Sequence, residues 1–140
     1  METRVLVPVD DSGYADDACE LAGELFPEAT VLLLHVINPS DAGYSSEGSI
    51  PGVSEGWYDQ QEARAETLFA ELEPYPEGWD VEHHIELGQP AQTIVDCAER
   101  EGVNHIVMGS RGRQGVSRLL LGSVAETVIR RSPVPVTVAR

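Results

Sequence analysis

Short apolar runs that alternate with helical patterns are the feature that most limits the folds open to this chain. The runs at 5–9 and 30–36 are rich in Val and Leu, with no polar residue at every second position. Strands of this composition are typically buried on both faces, as they are inside a parallel sheet. Each strand must then be joined to the next by a right-handed crossover, usually through a helix.

The order of the segments predicts five strands and four helices. Ser12 follows the first strand as a candidate N-cap, and small apolar residues recur after it at helical spacing. We therefore expect an α/β fold, a doubly wound five-stranded parallel sheet with helices on both faces. Further helices are predicted over 57–72, from 90 to a C-terminal cap at Gly102, and from about 119 or 123 to 131, and further strands over 80–87, 105–108 and 134–138.

Two of these strands carry the marks of sheet edges. Polar and apolar residues alternate over 80–87, which is typical of a half-exposed strand. Pro133 and Pro135 argue against a central position for the last strand, because proline has no N–H to donate. The segment 38–56 is rich in Gly, Ser and Pro and predicts a long loop, either a functional lid or a flexible insertion. The whole chain, 1–140, is expected to form one domain.

The charge of the chain excludes several functions. It has 24 acidic and 9 basic residues, a net charge of -15, and all its basic residues are arginine. A polyanionic surface repels phosphate backbones, so nucleic acid is not expected as a partner. Without lysine, the chain has neither a P-loop nor a Schiff-base nucleophile. The acidic excess favours adaptation to a salty cytoplasm, and the alternative is acidic drift.

The remaining composition excludes a membrane span and offers no metal motif. No apolar run approaches the roughly eighteen residues that a span needs, and the N-terminus lacks a basic leader, so we expect a cytoplasmic protein without membrane contact. Cys19 and Cys97 lie in helical patterns and are interpreted as buried apolar residues. His83 and His84 are neighbours on a strand and point to opposite faces, so they cannot share an ion. No metal site is predicted, and His35 is interpreted as a core residue.

The candidate site lies where parallel strands end. Ligands of such sheets bind outside the carboxyl ends of the strands, and two polar segments fall there: Asp10 after the first strand and a glycine-rich loop after the fourth. The loop has the spacing Gly109-x2-Gly112-x9-Gly122-Ser123. Glycine lets backbone N–H groups approach an anion, and Gly122-Ser123 opens a helix whose N-terminus favours phosphate. Arg111, Arg113 and Arg118 add positive charge to the same loop.

These residues resemble the ATP-binding branch of the universal stress protein family, whose hallmark is G-x2-G-x9-G-[S/T]. The resemblance implies an adenine nucleotide alpha hydrolase-like fold, of the Rossmann and flavodoxin type. It further implies bound ATP with Mg²⁺, a role in stress regulation, and a homodimer formed through strand 134–138. The stretches that carry it are 7–10, 88–94, 107–112, 120–125 and 132–136.

The resemblance also assigns roles to individual positions. It implies that the adenosine pocket is lined by Pro8, Val9, Asp10 and Val36, the ribose and α-phosphate by Met108 and Gly109, the phosphate chain by Arg111 and Gly112, and its far end by Gly122, Ser123 and Val124. Ala125 stands where the family often has a hydroxyl residue or alanine, so one possible phosphate donor is missing here and Ser123 carries more of that role.

Two other functions remain open at this stage. One is a slow ATP hydrolase or nucleotidyl-transfer enzyme on the same scaffold, with Asp10 or Asp11 holding the metal. The other is a structural dimer module with an unused pocket. The glycine loop has no second carboxylate or histidine to position an attacking water, which favours binding over catalysis.

Overall fold

The computed structural model describes residues 2–42, 55–110 and 121–140. Within these ranges it contains five strands, four α-helices and one 3-10 turn at Pro39–Ala42. The elements in chain order are β1 (Arg4–Pro8), α1 (Tyr14–Leu25), β2 (Ala29–Ile37), α2 (Glu55–Glu71), β3 (Trp79–Leu87), α3 (Pro90–Arg100), β4 (His105–Gly109), α4 (Ser123–Arg131) and β5 (Val136–Ala139).

All five strands are parallel and lie in the order β3-β2-β1-β4-β5. The predicted doubly wound parallel sheet is therefore confirmed, and β3 and β5 are its two edges. From β1 the chain first builds outward through β2 and β3, and then crosses to the other side of β1 to add β4 and β5. The strand order reverses between β1 and β4, where such sheets bind ligands.

The core has two layers, one on each face of the sheet. Alternate residues of β2 show the division: Leu33 packs with α1 and α2 residues such as Phe69, whereas Leu32 packs with α3 and α4 residues such as Ile94. Successive side chains of a strand point to opposite faces, so a strand buried on both sides must be apolar throughout. This explains the continuous apolar run of β2.

Some predicted boundaries were wrong. Gly13, not Ser12, is the N-cap of α1, since the Ser12 side chain bonds to Asp10 and Gly13 adopts a φ of 91°. α2 begins at Glu55, two residues earlier than expected, and Pro39–Ala42 form a 3-10 turn. The rest of the predicted 38–56 loop, residues 43–54, lies outside the described residues. β5 begins two residues later than expected. The cap at Gly102 is confirmed by its φ of 63°, which favours glycine.

None of the described helices has the length and apolar character that a membrane crossing requires.

Candidate functional site

A cavity of about 530 Å³ lies at the carboxyl ends of the strands, where the strand order reverses. It contains every predicted site residue that lies in the described part of the chain. These residues are Pro8, Val9, Asp10, Val36, Met108, Gly109, Gly122, Ser123 and Val124. Arg111 and Gly112 lie outside the described residues, as do Arg113 and Arg118.

The two ends of the glycine motif meet at this cavity. The Gly122 N–H donates to the carbonyl of Ser110 at 2.7 Å, and the Ser110 N–H donates to the carbonyl of Ala139 at 2.9 Å. The end of β4 is thereby fixed against the start of α4 and the end of β5. Positions that are far apart in sequence are brought together by main-chain bonds.

The N-terminus of α4 is suited to bind an anion. Its N-cap, Gly122, has φ -68° and ψ 158°, and within the described residues no side-chain hydrogen bond is made at this cap. The first N–H groups of a helix have no intrahelical acceptor, and the helix dipole adds positive potential there. Ser123 and Val124 in this first turn line the cavity. A phosphate group placed here would accept main-chain hydrogen bonds and lie at the positive end of the dipole.

The packing of α1 against β4 requires a glycine at position 109, whether or not a ligand is bound. A Cβ at this position would lie 2.7 Å from the Tyr14 Cβ and 3.1 Å from the Tyr14 carbonyl oxygen. Real Cβ atoms do not approach so closely, so α1 can reach the end of β4 only if residue 109 is glycine. The expectation that this glycine serves anion approach therefore has a second, structural explanation.

Asp10 is held in place by the loop that follows it. The Ser12 N–H donates to Asp10 Oδ1 at 3.0 Å, the Ser12 hydroxyl donates to the same oxygen, and the Tyr14 N–H donates to Ser12 Oγ at 3.1 Å. These bonds form a compact turn between β1 and α1. They fix the carboxylate of Asp10 at the wall of the cavity.

His35 and two residues of α2 complete the wall and were not predicted as site residues. Nδ1 of His35 lies 2.8 Å from the carbonyl oxygen of Val9, so this nitrogen is the donor. His35 is thus satisfied, as expected, yet it also borders the cavity. Gln61 and Arg64 reach the cavity from α2, and Arg64 forms an ion pair with Asp11. Arg64 is the one basic residue of α2, a signal that could have marked it.

The charges of the described wall are mainly negative. Asp10, Asp11 and Asp41 line the cavity, against one basic residue, Arg64. A polyphosphate bound here needs further positive charge. Carboxylate oxygens are ligands that Mg²⁺ accepts alongside phosphate oxygens, so the donor set of this cavity fits a magnesium–nucleotide complex.

The chain is similar to known proteins in both sequence and structure. The profile of the universal stress protein family matches residues 1–140. The universal stress protein MJ0531 of Methanocaldococcus jannaschii is 35% identical, over 98% of this chain and 81% of its own length. The universal stress protein MJ0577 of the same organism is 31% identical, over 100% of this chain and 96% of its own.

Solved structures show the same relationship. The structure of the hypothetical protein MJ0577 matches with a TM-score of 0.77 and 34% identity, over 99% of this chain and 96% of that chain. The universal stress protein UspA from Lactobacillus plantarum matches with a TM-score of 0.70 and 27% identity, over 99% and 97% of the two chains. The fold expected from sequence is therefore shared with proteins of this family.

Proposed function

The chain belongs to the universal stress protein family, and we propose that it binds ATP in the cavity at the sheet switch point and acts as a nucleotide-dependent regulator of a stress response in the cytoplasm. One observation carries the proposal. Residues from β1, β2, β4 and α4, separated by up to about a hundred positions, were predicted as nucleotide contacts and line one cavity.

The two ends of the cavity suit the two ends of the nucleotide. Val9, Val36 and Met108 offer apolar surface for the adenosine. The Asp10 carboxylate lines the same part of the cavity and can accept hydrogen bonds from the polar groups of the adenosine. Beside Gly122, the first turn of α4 at Ser123 and Val124 offers main-chain N–H groups for the phosphates. Universal stress proteins of the same fold have been solved in complex with cAMP and with dAMP, at 21% and 22% identity to this chain.

The bound form is proposed to be the magnesium complex. Mg²⁺ supplies positive charge to the phosphates, and Asp11, which lines the cavity next to the Asp10 assigned to the adenosine, is the described carboxylate that would hold it. Arg111, Gly112 and the other residues of the loop are proposed to contact the phosphate chain.

The test is a graded change at Gly122. The backbone at this position is extended, so alanine and valine can adopt its φ and ψ without strain. Gly122 lines the cavity, and a side chain added there would take space from the phosphate. We expect Gly122→Ala to weaken ATP binding and Gly122→Val to weaken it at least about tenfold, or 1.4 kcal/mol. Calorimetry at fixed salt measures both.

Gly56→Ala is the matched control. A Cβ at Gly56 meets nothing within 4 Å, and Gly56 is not among the residues that line the cavity. The Gly56→Ala variant should bind ATP with the same affinity as the parent. Equal affinities for the parent and Gly122→Val would show that the assigned phosphate site is wrong.

A slow hydrolase is the second candidate, because Asp10, Asp11 and His35 line the same cavity. The chain has no lysine to neutralise charge that develops on the phosphates, so we expect turnover well below about once per second, the lower range of ordinary enzymes. Faster turnover that is lost in Asp10→Ala would favour the hydrolase.

The functional unit is proposed to be a homodimer that pairs through β5. This strand is an edge of the sheet, and the Pro135 and Ala139 carbonyls face β4, where they accept from Ile106 and Ser110. By the alternation of strands, the N–H and carbonyl of Val138 face outward. An open edge of this kind invites pairing with another chain.

Val138→Pro removes an outward N–H and leaves the bonds to β4 in place. We expect light scattering to give a dimer for the parent in high salt and a monomer for Val138→Pro, with similar circular dichroism. A parent that is monomeric at micromolar concentration in high salt would contradict the proposal.

A further inference from the structure

His84 is brought together with chemically matched side chains on the face of β3 that is turned toward α3. His84 and Glu86 lie two positions apart on the strand, and Cys97 comes from α3. One ligand atom from each of the three lies within 4.8 Å of those of the other two. We propose that His84, Glu86 and Cys97 bind a divalent transition-metal ion, with Zn²⁺ the best match, at the β3 edge of the sheet.

The ligand types and the access to the site fit zinc. Imidazole, thiolate and carboxylate are the usual protein ligands of zinc, at about 2.0–2.3 Å from the ion. Ligand atoms that lie within 4.8 Å of one another therefore need only small side-chain rotations to surround one ion. The side chains of His84 and Glu86 are 21% and 23% exposed, whereas Cys97 is buried beneath them. An ion can thus enter from solvent, and a water completes the fourth position.

Neighbouring charged groups support the ligands. Nε2 of His84 lies 3.0 Å from Glu82 Oε1, and a histidine that binds a metal commonly donates its other ring N–H to such a carboxylate. Arg100 bonds one oxygen of Glu86 and leaves the other for the ion. A second group, made of Glu82, His84 and Glu101, is less suitable because it offers no thiol and because Arg4 lies 3.7 Å and 3.6 Å from both of its carboxylates.

The charge of the cluster favours one divalent ion. Three glutamates (Glu82, Glu86 and Glu101) are balanced by two arginines (Arg4 and Arg100), which leaves one negative charge when His84 is neutral. When the ion binds, the Cys97 thiol releases its proton to water and the sulfur–metal bond forms. The added thiolate and the divalent ion together bring the cluster to neutrality.

Cys97 is a protonated thiol when no metal is bound. Burial, with the neighbouring Glu86 second, raises the pKa of Cys97 to about 12. The thiol is therefore not a free nucleophile at neutral pH, and the ion is what would convert it to a ligand.

The chain provides matched controls for each ligand. His83 is adjacent to His84 but faces the other side of the sheet, where its ring stacks on Phe69 at 4.4 Å. Cys19 is the other cysteine of the chain and belongs to neither of the described ligand groups. If metal binding is lost in the His84 and Cys97 variants and kept in the His83 and Cys19 variants, the ion binds at this site. General attraction of cations to an acidic protein would affect both sets of variants alike.

The experiment is a titration of the metal-free full chain with Co²⁺, followed by displacement with Zn²⁺. Excess Mg²⁺ and high salt suppress binding to surface carboxylates. We expect one Co²⁺ per chain with a thiolate charge-transfer band, no such band in Cys97→Ser, and at least about tenfold weaker binding in His84→Ala. Cys19→Ser and His83→Ala should bind as the parent does, and thermal melts verify that each variant folds.

X-ray absorption spectroscopy of the zinc-loaded parent identifies the atoms bound to zinc and gives a second readout that needs no variant. The proposal requires one sulfur in the zinc shell together with nitrogen and oxygen ligands. A shell without sulfur, a parent that shows no charge-transfer band, or equal binding by Cys97→Ser would overturn it.

Discussion

The two faces of the sheet differ sharply in charge. The helices of one face, α1 and α2, contain nine acidic residues and one arginine, and we call this the acidic face. The helices of the other face, α3 and α4, contain three acidic residues and three arginines, and we call this the balanced face. Among the helices, the excess negative charge therefore lies on one side of the sheet, and the net charge of the whole chain describes neither side.

The packing beneath the two faces differs as well. Every buried residue of α1 is alanine, namely Ala15, Ala18 and Ala22. The buried residues of α3 include Ile94 and Val95. Small side chains allow α1 to approach the sheet closely, as the contact between Tyr14 and Gly109 shows, but they bury less apolar area, at about 25 cal/mol per Å². On the acidic face, α1 therefore combines greater repulsion with weaker burial than α3, so we expect α1 to open first.

The largest effect is expected from paired truncations in β2. Leu33 and Leu32 are adjacent and fully buried, and they face the acidic and the balanced side respectively. Leu33→Ala and Leu32→Ala should each lower the free energy of unfolding by about 2–5 kcal/mol, since both lose the same apolar group and leave a cavity. Denaturant unfolding in high salt measures both losses. A clearly smaller loss for Leu33→Ala would mean that the acidic side relaxes around the cavity, which would sharpen the contrast.

The next effect is the response of the parent to salt. The Debye length falls from roughly 30 Å at 0.01 M to roughly 3 Å at 1 M, so molar salt screens the repulsion among the acidic residues. We expect stability to rise by more than about 1 kcal/mol, or roughly 3–5 °C in melting temperature, between about 0.05 and 3 M sodium or potassium chloride.

Hydrogen exchange locates this gain. The amides of α1 and α2 should gain more protection from salt than those of α3 and α4. A melting temperature that is constant across the salt series would contradict salt adaptation and favour acidic drift as the origin of the composition. An equal gain in protection on both faces would contradict the proposed difference between them.

A smaller effect separates single carboxylates on the two faces. Glu62 lies four residues from Glu66 on α2, and like charges at this spacing destabilise a helix by about 0.2–0.5 kcal/mol. Glu126 instead pairs with Arg130 at 2.9 Å on α4, an exposed pair worth about 0.3–0.5 kcal/mol. At low salt, Glu62→Gln should therefore raise the melting temperature and Glu126→Gln should lower it. Both shifts should shrink in 1 M salt, and shifts of the same sign would contradict the assigned difference between the faces.

Much of the fold could be predicted because its signals are local. The apolar run of β2 and the alternating run of β3 each specify burial within a few residues, and the sheet order follows from short crossovers. The predicted site residues share a cavity because they lie at or just after the carboxyl ends of parallel strands, or at the start of the helix that follows β4, and in such sheets these positions meet at one edge. For Arg111 and Gly112 the contacts with phosphate remain predictions.

The rest depends on which side chains the packing brings together. The sequence does not specify which side of α2 meets the cavity, so Arg64 was missed. His84 was judged against its neighbour His83, although its partner Cys97 comes from α3. Gly109 was interpreted through a ligand, whereas its conflict with Tyr14 depends on how closely α1 approaches β4.

The smallest effect is the pH dependence contributed by His105, on the acidic side of β4. Its ring packs on Phe26 at 4.9 Å, and Nε2 lies 2.6 Å from Thr137 Oγ1 of β5. Burial lowers the pKa of His105 from 6.5, so the folded state favours the neutral ring. As pH falls through 6.5 the unfolded chain takes up the proton first, and the stability that the neutral ring contributes is lost down to the folded pKa. Histidine NMR should place the pKa of His105 below 6.5, and in high salt His105→Gln should flatten the fall in stability just below pH 6.5. A measured pKa of 6.5 or above would mean that the carboxylates of the acidic face outweigh burial at this ring, and it would extend their influence from the helices to the sheet itself.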